Sequence, residues 1–300
     1  FRMMSLYQAL LSRGMKAVIV LLGEHVPSLS WLQNKKLPHE IIKDGSDGWE
    51  VPLIQKYNPT TWVNDRLDTD EEHALRLKSH GIKLVTFDDY GSGAKFADMH
   101  VAALVQPNQS APEGNRVLMG LDYLILNPEI RHYQRLRKSF EKLVVSLGGS
   151  DTYGMTVKAV AYLTQTQCPA TVILGPGFMH ELALEKIMNT TITLKRAVPS
   201  LIAEFANYDL AITGGGITAF EAAAAGLPTL TIANEKHEIG FCNYLEELGC
   251  SIYAGYLEEA DLSKLETMVG IKHMSQCGIE KVTLGGADNI CKLICPPNIN

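Results

Sequence analysis

Residues 209–233 read "DLAITGGGITAFEAAAAGLPTLTIA", and this stretch decides the fold. A short apolar run ends near Thr213, the glycines Gly214, Gly215 and Gly216 follow, and a helix is expected to start near Ile217. Loop amides bare of side chains, together with the positive end of a helix dipole, make an anion site, most naturally one for a diphosphate. Glu221 falls one turn into that helix, where its carboxylate could accept hydrogen bonds from the two hydroxyls of a ribose; as a capping or solvated side chain it would need no ligand. The alanines Ala222 to Ala225 point to tight packing of helix on sheet, which is structural. The stretch lacks the G-x-G-x-x-G spacing and early acidic partner of a dinucleotide fingerprint.

Outward from this stretch the same pattern repeats. The runs "KAVIVLL", "TTWVN", "IKLVTF", "MHVAALV", "KLVVSL", "ATVILG", "DLAIT" and "PTLTIA" alternate with amphipathic segments, which predicts parallel sheets covered on both faces by helices. A polar, basic segment expected to be helical, "LNPEIRHYQRLRKSFEK", precedes a fresh βα series, so a domain junction is expected within 124–140. Two doubly wound, Rossmann-type α/β domains facing each other across a cleft are the expected architecture, 1–130 and 131–300. The chain opens on "FRMMSLYQALLSRG", a helix with Phe1, Met4, Tyr7 or Gln8, and Leu11 on one stripe and Gly14 placed for a left-handed cap. No strand precedes it, so the first strand of the first domain is expected to be missing. Two further loops follow strands: "SLGGSDTYG", where Ser150, Asp151 and Thr152 can cap the next helix, and the turn "GPGF".

Composition excludes several classes. With 300 residues, 46% apolar, 20% charged and a formal net charge of −6, the chain is an ordinary globular sequence without the basic footprint of a nucleic-acid binder. Its apolar runs are too short to span a bilayer, and no secretory leader is visible. The six cysteines form no C-x-x-C pair and read as free thiols of a reducing, cytoplasmic setting. "HEII", "HELAL" and "HEIG" each lack the second histidine of a zinc hydrolase helix, and no metal or other cofactor is expected.

The glycine loop, Thr218, Glu221 and "AAAAGLPTL" resemble the donor-nucleotide site of GT-B fold glycosyltransferases. With "GIKLVTFDDYGSGAKFADMHVAAL", "GLDYLILNPEI" and "KLVVSLGGSDTYGMT" in the family's order, the chain is similar to the nucleotide-sugar hydrolases of pseudaminic acid synthesis and their spore coat polysaccharide relatives, from Phe1 to about Ile294. The resemblance implies a UDP-sugar hydrolase, releasing UDP and a free amino-deoxy sugar by attack of water at the anomeric carbon. Its general base would be a histidine in a G-x-G-H loop immediately before Phe1. His237 is a weak substitute for that base.

By matching position, Gly215, Gly216, Ile217 and Thr218 would contact the diphosphate and Glu221 the ribose. Val198, opening the helix "VPSLIAEF", would lie beside the uracil, while Asn234, Glu235 and His237 would meet sugar and phosphates. Asp65 and Arg66 belong to "NDRLDT", which stands where the best-described hydrolases carry Asp-x-Tyr and looks like the spore-coat branch; Asn127 stands where that branch tends to have Arg. Asp88 and Asp89, adjacent at a strand end, should point opposite ways. Two other readings stay open: a GT-B glycosyltransferase using the same donor, and a non-catalytic nucleotide-sugar binding domain or piece of a cytidylyltransferase fusion.

Overall fold

The computed structural model describes residues 2–23, 26–104, 111–196 and 198–295. Two compact units are present, 1–125 with 285–300, and 126–284.

In the first unit the elements run α1 (Arg2–Ser12), β1 (Ile19–Leu22), α2 (Val26–Asn34), β2 (His39–Ile42), α3 (Val51–Tyr57), β3 (Thr61–Asn64), α4 (Glu71–Ser79), β4 (Lys83–Phe87), β5 (Met99–Ala102) and β6 (Val117–Met119). Strands β1 and β2 form a parallel pair, and β3 to β6 form a separate parallel sheet in sequence order. Helix α1 buries Leu6 and Tyr7, and Leu6 shares a core with Val85, Phe87, Met99 and Val101, with Met3, Ala9 and Leu10 packed against it. This corrects the expected stripe: Gln8 is exposed and Leu11 is 42% exposed, because the sheet faces the 3, 6, 10 ridge of the helix. Phe1 lies outside the described residues. Gly14 takes φ +75° and its N–H donates to Leu11 O at 2.9 Å, the left-handed stop the sequence called for.

The second unit holds α5 (Ile130–Tyr133), β7 (Leu143–Ser146), α6 (Met155–Gln165), β8 (Ala170–Leu174), α7 (Glu181–Ile187), β9 (Ile192–Arg196), α8 (Leu201–Phe205), β10 (Leu210–Gly214), α9 (Ile217–Ala224), β11 (Thr229–Ala233), α10 (Glu238–Glu247), β12 (Ser251–Tyr256) and α11 (Ile271–Lys281). Helix α12 (Gly286–Ile294) then packs with the first unit, a return that a single cut near residue 130 leaves out. The six strands are all parallel in the order β12-β11-β10-β7-β8-β9, the Rossmann arrangement. Every residue of β7, β10 and β11 is buried, which is why these central strands read as continuous apolar runs. The strand order reverses between β7 and β10, so the loops after these two strands flank the topological switch point, where ligands of such sheets bind.

The segment 126–142 departs from the expected long helix: only Ile130–Tyr133 is helical. The rest is extended because its side chains bind backbone carbonyls at the ends of α8 and α9. Gln134 Nε2 donates to Ala224 O at 2.8 Å, Arg135 Nε to Ala206 O at 2.9 Å, and the fully buried Arg137 to the carbonyls of Phe205, Tyr208, Arg135 and Ala225. Positive guanidinium groups meet the negative ends of two helices there. The C-terminus of α9 is thereby fixed, and with it the direction of the helix whose other end carries the glycine turn.

Candidate functional site

Four loops gather at the carboxyl ends of the second unit's strands. The turn after β10 is made of Gly214, Gly215 and Gly216, with α9 beginning at Ile217 as the sequence indicated. The first N–H groups of α9 have no intrahelical acceptor, and Ile217 is 44% exposed while Gly216 and Thr218 are half-buried. Gly214 and Gly215 are buried instead, and their glycine identity has a packing cause. A Cβ on Gly215 would stand 2.5 Å from Cys242 Sγ and 2.9 Å from Glu238 Cβ, and one on Gly214 2.8 Å from Asn234 Nδ2. The exposed end of the turn, at Gly216, Ile217 and Thr218, carries main-chain amides that lie ahead of any intrahelical acceptor.

Glu221 is half-buried on α9. Burial raises the pKa of its carboxyl, an effect partly offset by a hydrogen bond from the Asn127 main-chain N–H. Asn127, singled out by its sequence position, thus meets the predicted ribose ligand through its backbone. Two residues on, Glu129 Oε2 accepts from Ser200 Oγ at 3.5 Å, and Ser200 also caps α8 by accepting from Ala203 N at 3.2 Å. Helix α8 accordingly starts at Leu201; Val198 is half-buried in the coil before it and does not open the helix, because Ser200 is the cap.

After β11, the side chain of Asn234 packs over Gly214, and its Oδ1 is buried without a hydrogen-bond partner. Glu235 is exposed and accepts from Tyr153 Oη at 3.1 Å, a bond that holds the Tyr153 phenol above its ordinary pKa. His237 is exposed at the N-terminus of α10, its ring edge-on to Phe241 at 6.0 Å. Glu238 Oε2 accepts from Asn234 N at 2.7 Å, and Oε1 lies beside Gly216. A carboxylate therefore stands next to the glycine turn.

Tyr153 and Glu238 are the site residues that sequence reasoning missed. The signal for Glu238 was its spacing, four positions after Asn234, which suits a side chain folding back onto a turn.

The loop after β7 is joined to that after β8. Gly177 N donates to Gly149 O at 2.8 Å, and a Cβ on Gly175 would fall 2.3 Å from that same oxygen, so "GPGF" is a backbone contact. Of the three expected capping side chains Asp151 does the work, accepting from Met155 N at 2.9 Å and Thr156 N at 2.8 Å. Asp151→Ala should cost about 0.5–2 kcal/mol of stability, the usual loss for an N-terminal helix cap, read from urea denaturation followed at the second unit. No change would mean that the glycine turn holds α6 without it.

Asp65 and Arg66 lie in the first unit, engaged by neighbours. Arg2 Nε donates to Asp65 Oδ1 at 2.8 Å, and Arg2 also binds Asp88; Arg66 pairs with Asp68 at 3.1 Å. Asp88 and Asp89 do diverge: Asp88 meets Arg2, while Asp89 is 1% exposed and accepts from Thr69 N and Gly91 N at 3.1 and 2.9 Å. Among the described residues no group of His, Cys, Asp and Glu could hold a metal ion, and no helix is long and apolar enough to cross a membrane.

No protein-family model matches the chain. It is 25% identical over 251 residues to an uncharacterized protein of Methanocaldococcus jannaschii, covering 75% of this chain and 52% of that one. It is 24% identical over 199 residues to the spore coat polysaccharide biosynthesis protein SpsG of Bacillus subtilis, covering 63% of this chain and 57% of the relative. The chain thus spans about half the length of these curated relatives.

Among solved structures, MurG of Acinetobacter baumannii superposes with a TM-score of 0.68 at 12% identity, over 98% of this chain and 95% of that chain. The spinosyn rhamnosyltransferase SpnG complexed with thymidine diphosphate gives 0.63 at 14%, over 98% and 96%. A putative UDP-N-acetylglucosamine 2-epimerase from Listeria monocytogenes gives 0.62 at 14%, over 98% and 92%. The fold is therefore GT-B-like, built of two Rossmann-type units. In sequence the chain is similar, over part of its length, to a polysaccharide biosynthesis protein.

Proposed function

We propose that the second unit binds the nucleotide of a UDP-sugar and that the protein uses this donor for glycosyl transfer in surface polysaccharide biosynthesis. The observation that carries the reading is the placement of Gly216, Ile217 and Thr218 at the switch point of a 3-2-1-4-5-6 sheet, with Glu221 one turn further along α9. Amides and dipole would hold the diphosphate as it leaves, and Glu221 would hold the ribose hydroxyls. Asn234, with a buried unpartnered carbonyl oxygen above Gly214, supplies an acceptor for a hydroxyl of the donor. Val198, Glu235 and His237 remain the proposed uracil and sugar contacts. The structural likeness to MurG and SpnG supports transfer to an acceptor hydroxyl.

Hydrolysis is the second reading, favoured by the spore-coat relative and by the resemblance to pseudaminic acid hydrolases. It requires a general base near the anomeric carbon. His237 is exposed, and among the described residues its ring meets Phe241 edge-on with no hydrogen bond to orient it for that role. His237→Ala is accordingly expected to lower turnover by about two- to tenfold, the cost of one lost sugar contact and not of a general base. A loss of a hundredfold would make it the base. The full-length natural protein incubated with UDP-amino sugars in heavy-oxygen water separates the two reactions: label in a released sugar supports hydrolysis, and sugar appearing on an added acceptor supports transfer. Calorimetry with UDP tests the shared premise, and absence of binding would overturn both.

A further inference from the structure

Tyr153 has no part in the nucleotide reading so far, and the sheet order gives it one. The tyrosine lies between β7 and α6, and its Oη donates at 3.1 Å to Oε1 of Glu235, which lies in the loop after β11. Strand β10 stands between β7 and β11 in the sheet. The bond therefore passes across the carboxyl end of β10, where the glycine turn begins. Tyr153 is nevertheless 45% exposed, and Glu235 is exposed as well. The ring is held at its hydroxyl and left open to solvent, although an aromatic surface gains by being covered.

The loop that carries the ring is pinned on both sides of it. Asp151, at φ 43°, accepts from Met155 N and Thr156 N through its two carboxylate oxygens. The Thr152 carbonyl lies 3.3 Å from His180 Nε2, and a Cβ added at Gly154 would meet the His180 ring at 3.4 Å. At the other end of the bond, Glu235 follows Asn234, whose side chain covers Gly214 and whose N–H is held by Glu238 at 2.7 Å. Both partners are thus fixed before any ligand arrives, and a ring so placed gives up little freedom on meeting one.

The guest that suits this arrangement is the sugar of the donor, an inference that rests on the proposed nucleotide site. With the ribose at Glu221 and the diphosphate at Gly216 to Thr218, the hexose is the part of a nucleotide-sugar still without a place, and the loop after β11 borders the turn. A hexose has a face of C–H groups and an edge of hydroxyls. The face packs on an aromatic ring by dispersion, and the hydroxyls donate to a carboxylate. We propose that Tyr153 completes the sugar subsite: its ring stacks on the C–H face of the hexose, and its hydroxyl fixes Glu235 so that the carboxylate accepts from the sugar's hydroxyls through Oε2. Tyr153 then decides how much the sugar adds to the affinity of UDP itself.

Calorimetric titration with UDP, UDP-glucose and UDP-N-acetylglucosamine tests this, read as the ratio of UDP-sugar to UDP affinity within each variant. In the wild type at least one of the two ratios should exceed one. Tyr153→Ala should lower that ratio roughly 2- to 12-fold, the worth of one ring contact. Tyr153→Phe keeps the ring and frees Glu235, so it should lower the ratio less. A tether with no sugar contact would change both affinities alike and leave the ratio where it was. UDP failing to bind the wild type would overturn the nucleotide reading and the subsite with it. UDP binding with no ratio above one, a ratio unmoved in Tyr153→Ala, or Tyr153→Phe as damaging as Tyr153→Ala would each overturn the stacking role and leave the nucleotide reading standing.

Discussion

Arg137→Ala should destabilise the second unit by about 2–5 kcal/mol, the range for emptying the site of a large, fully buried side chain. The guanidinium is 0% exposed and, among the described residues, no carboxylate hydrogen-bonds to it; its partners are the carbonyls of Phe205 at 2.8 Å, Tyr208 at 3.2 Å, Arg135 at 3.0 Å and Ala225. Removing it takes one donor from each of the carbonyls at the ends of α8 and α9, which keep Tyr208 N, Arg135 N and the Arg135 guanidinium as their other partners, and opens a void. Burial and the like charge of Arg135 push the group down to about 9, so its charge is a cost at neutral pH that the carbonyls offset. Folding therefore depends on the whole fork. Arg137→Lys should recover only part of the loss, because an ammonium cannot reach carbonyls spread across a planar fork. Trp31, Trp49 and Trp62 all lie in the first unit, so their fluorescence is blind to this change; amide hydrogen exchange along α9 reports it. Protection of α9 unchanged in Arg137→Ala would show that helix to be anchored by packing alone.

The same arginine marks the boundary of what the sequence could disclose. Strands β7, β10 and β11 were legible because a strand buried on both faces must be apolar throughout, and the start of α9 because three glycines admit no other continuation. The run 126–142 has the polar periodicity of a surface helix; what makes it extended is a set of carbonyl acceptors about 70 to 90 positions away. Likewise α1 shows a usable stripe at 4, 7 and 11 and another at 3, 6 and 10, and only the sheet beneath selects between them. At the site, Gly215, next to Gly214, reads by matching position as a diphosphate contact. Both are glycine because Asn234, Cys242 and Glu238 crowd their Cα atoms, residues 20 to 27 positions further on. The bond from Tyr153 to Glu235 left no readable signal, since its partners stand 82 positions apart in two loops with no common motif.

Glu221→Ala is expected to weaken UDP binding by about 1–3 kcal/mol, or roughly 5- to 150-fold, the cost of losing a charged hydrogen-bond partner. The pH dependence distinguishes a ribose ligand from a structural carboxylate. Burial raises the Glu221 pKa despite the Asn127 N–H, so as pH falls the carboxylate takes up its proton earlier than an ordinary glutamate. A carboxylate accepting two ribose hydroxyls loses acceptor capacity on protonation, so affinity should be full above the raised pKa and decline through it.

The nucleotide's own phosphate titrates near this range, so the informative quantity is the wild-type affinity divided by that of Glu221→Gln at each pH. That ratio should fall toward unity on acidification, beginning above the usual carboxylate range. Stability moves the opposite way: the folded state holds this proton more tightly than the unfolded chain, so Glu221 alone stabilises the fold as pH drops from the raised pKa to 4.5. A carboxylate of purely structural role would show that stability trend together with a flat affinity ratio. That pattern would remove Glu221 from the nucleotide site while leaving the amides of Gly216 to Thr218 to be tested on their own.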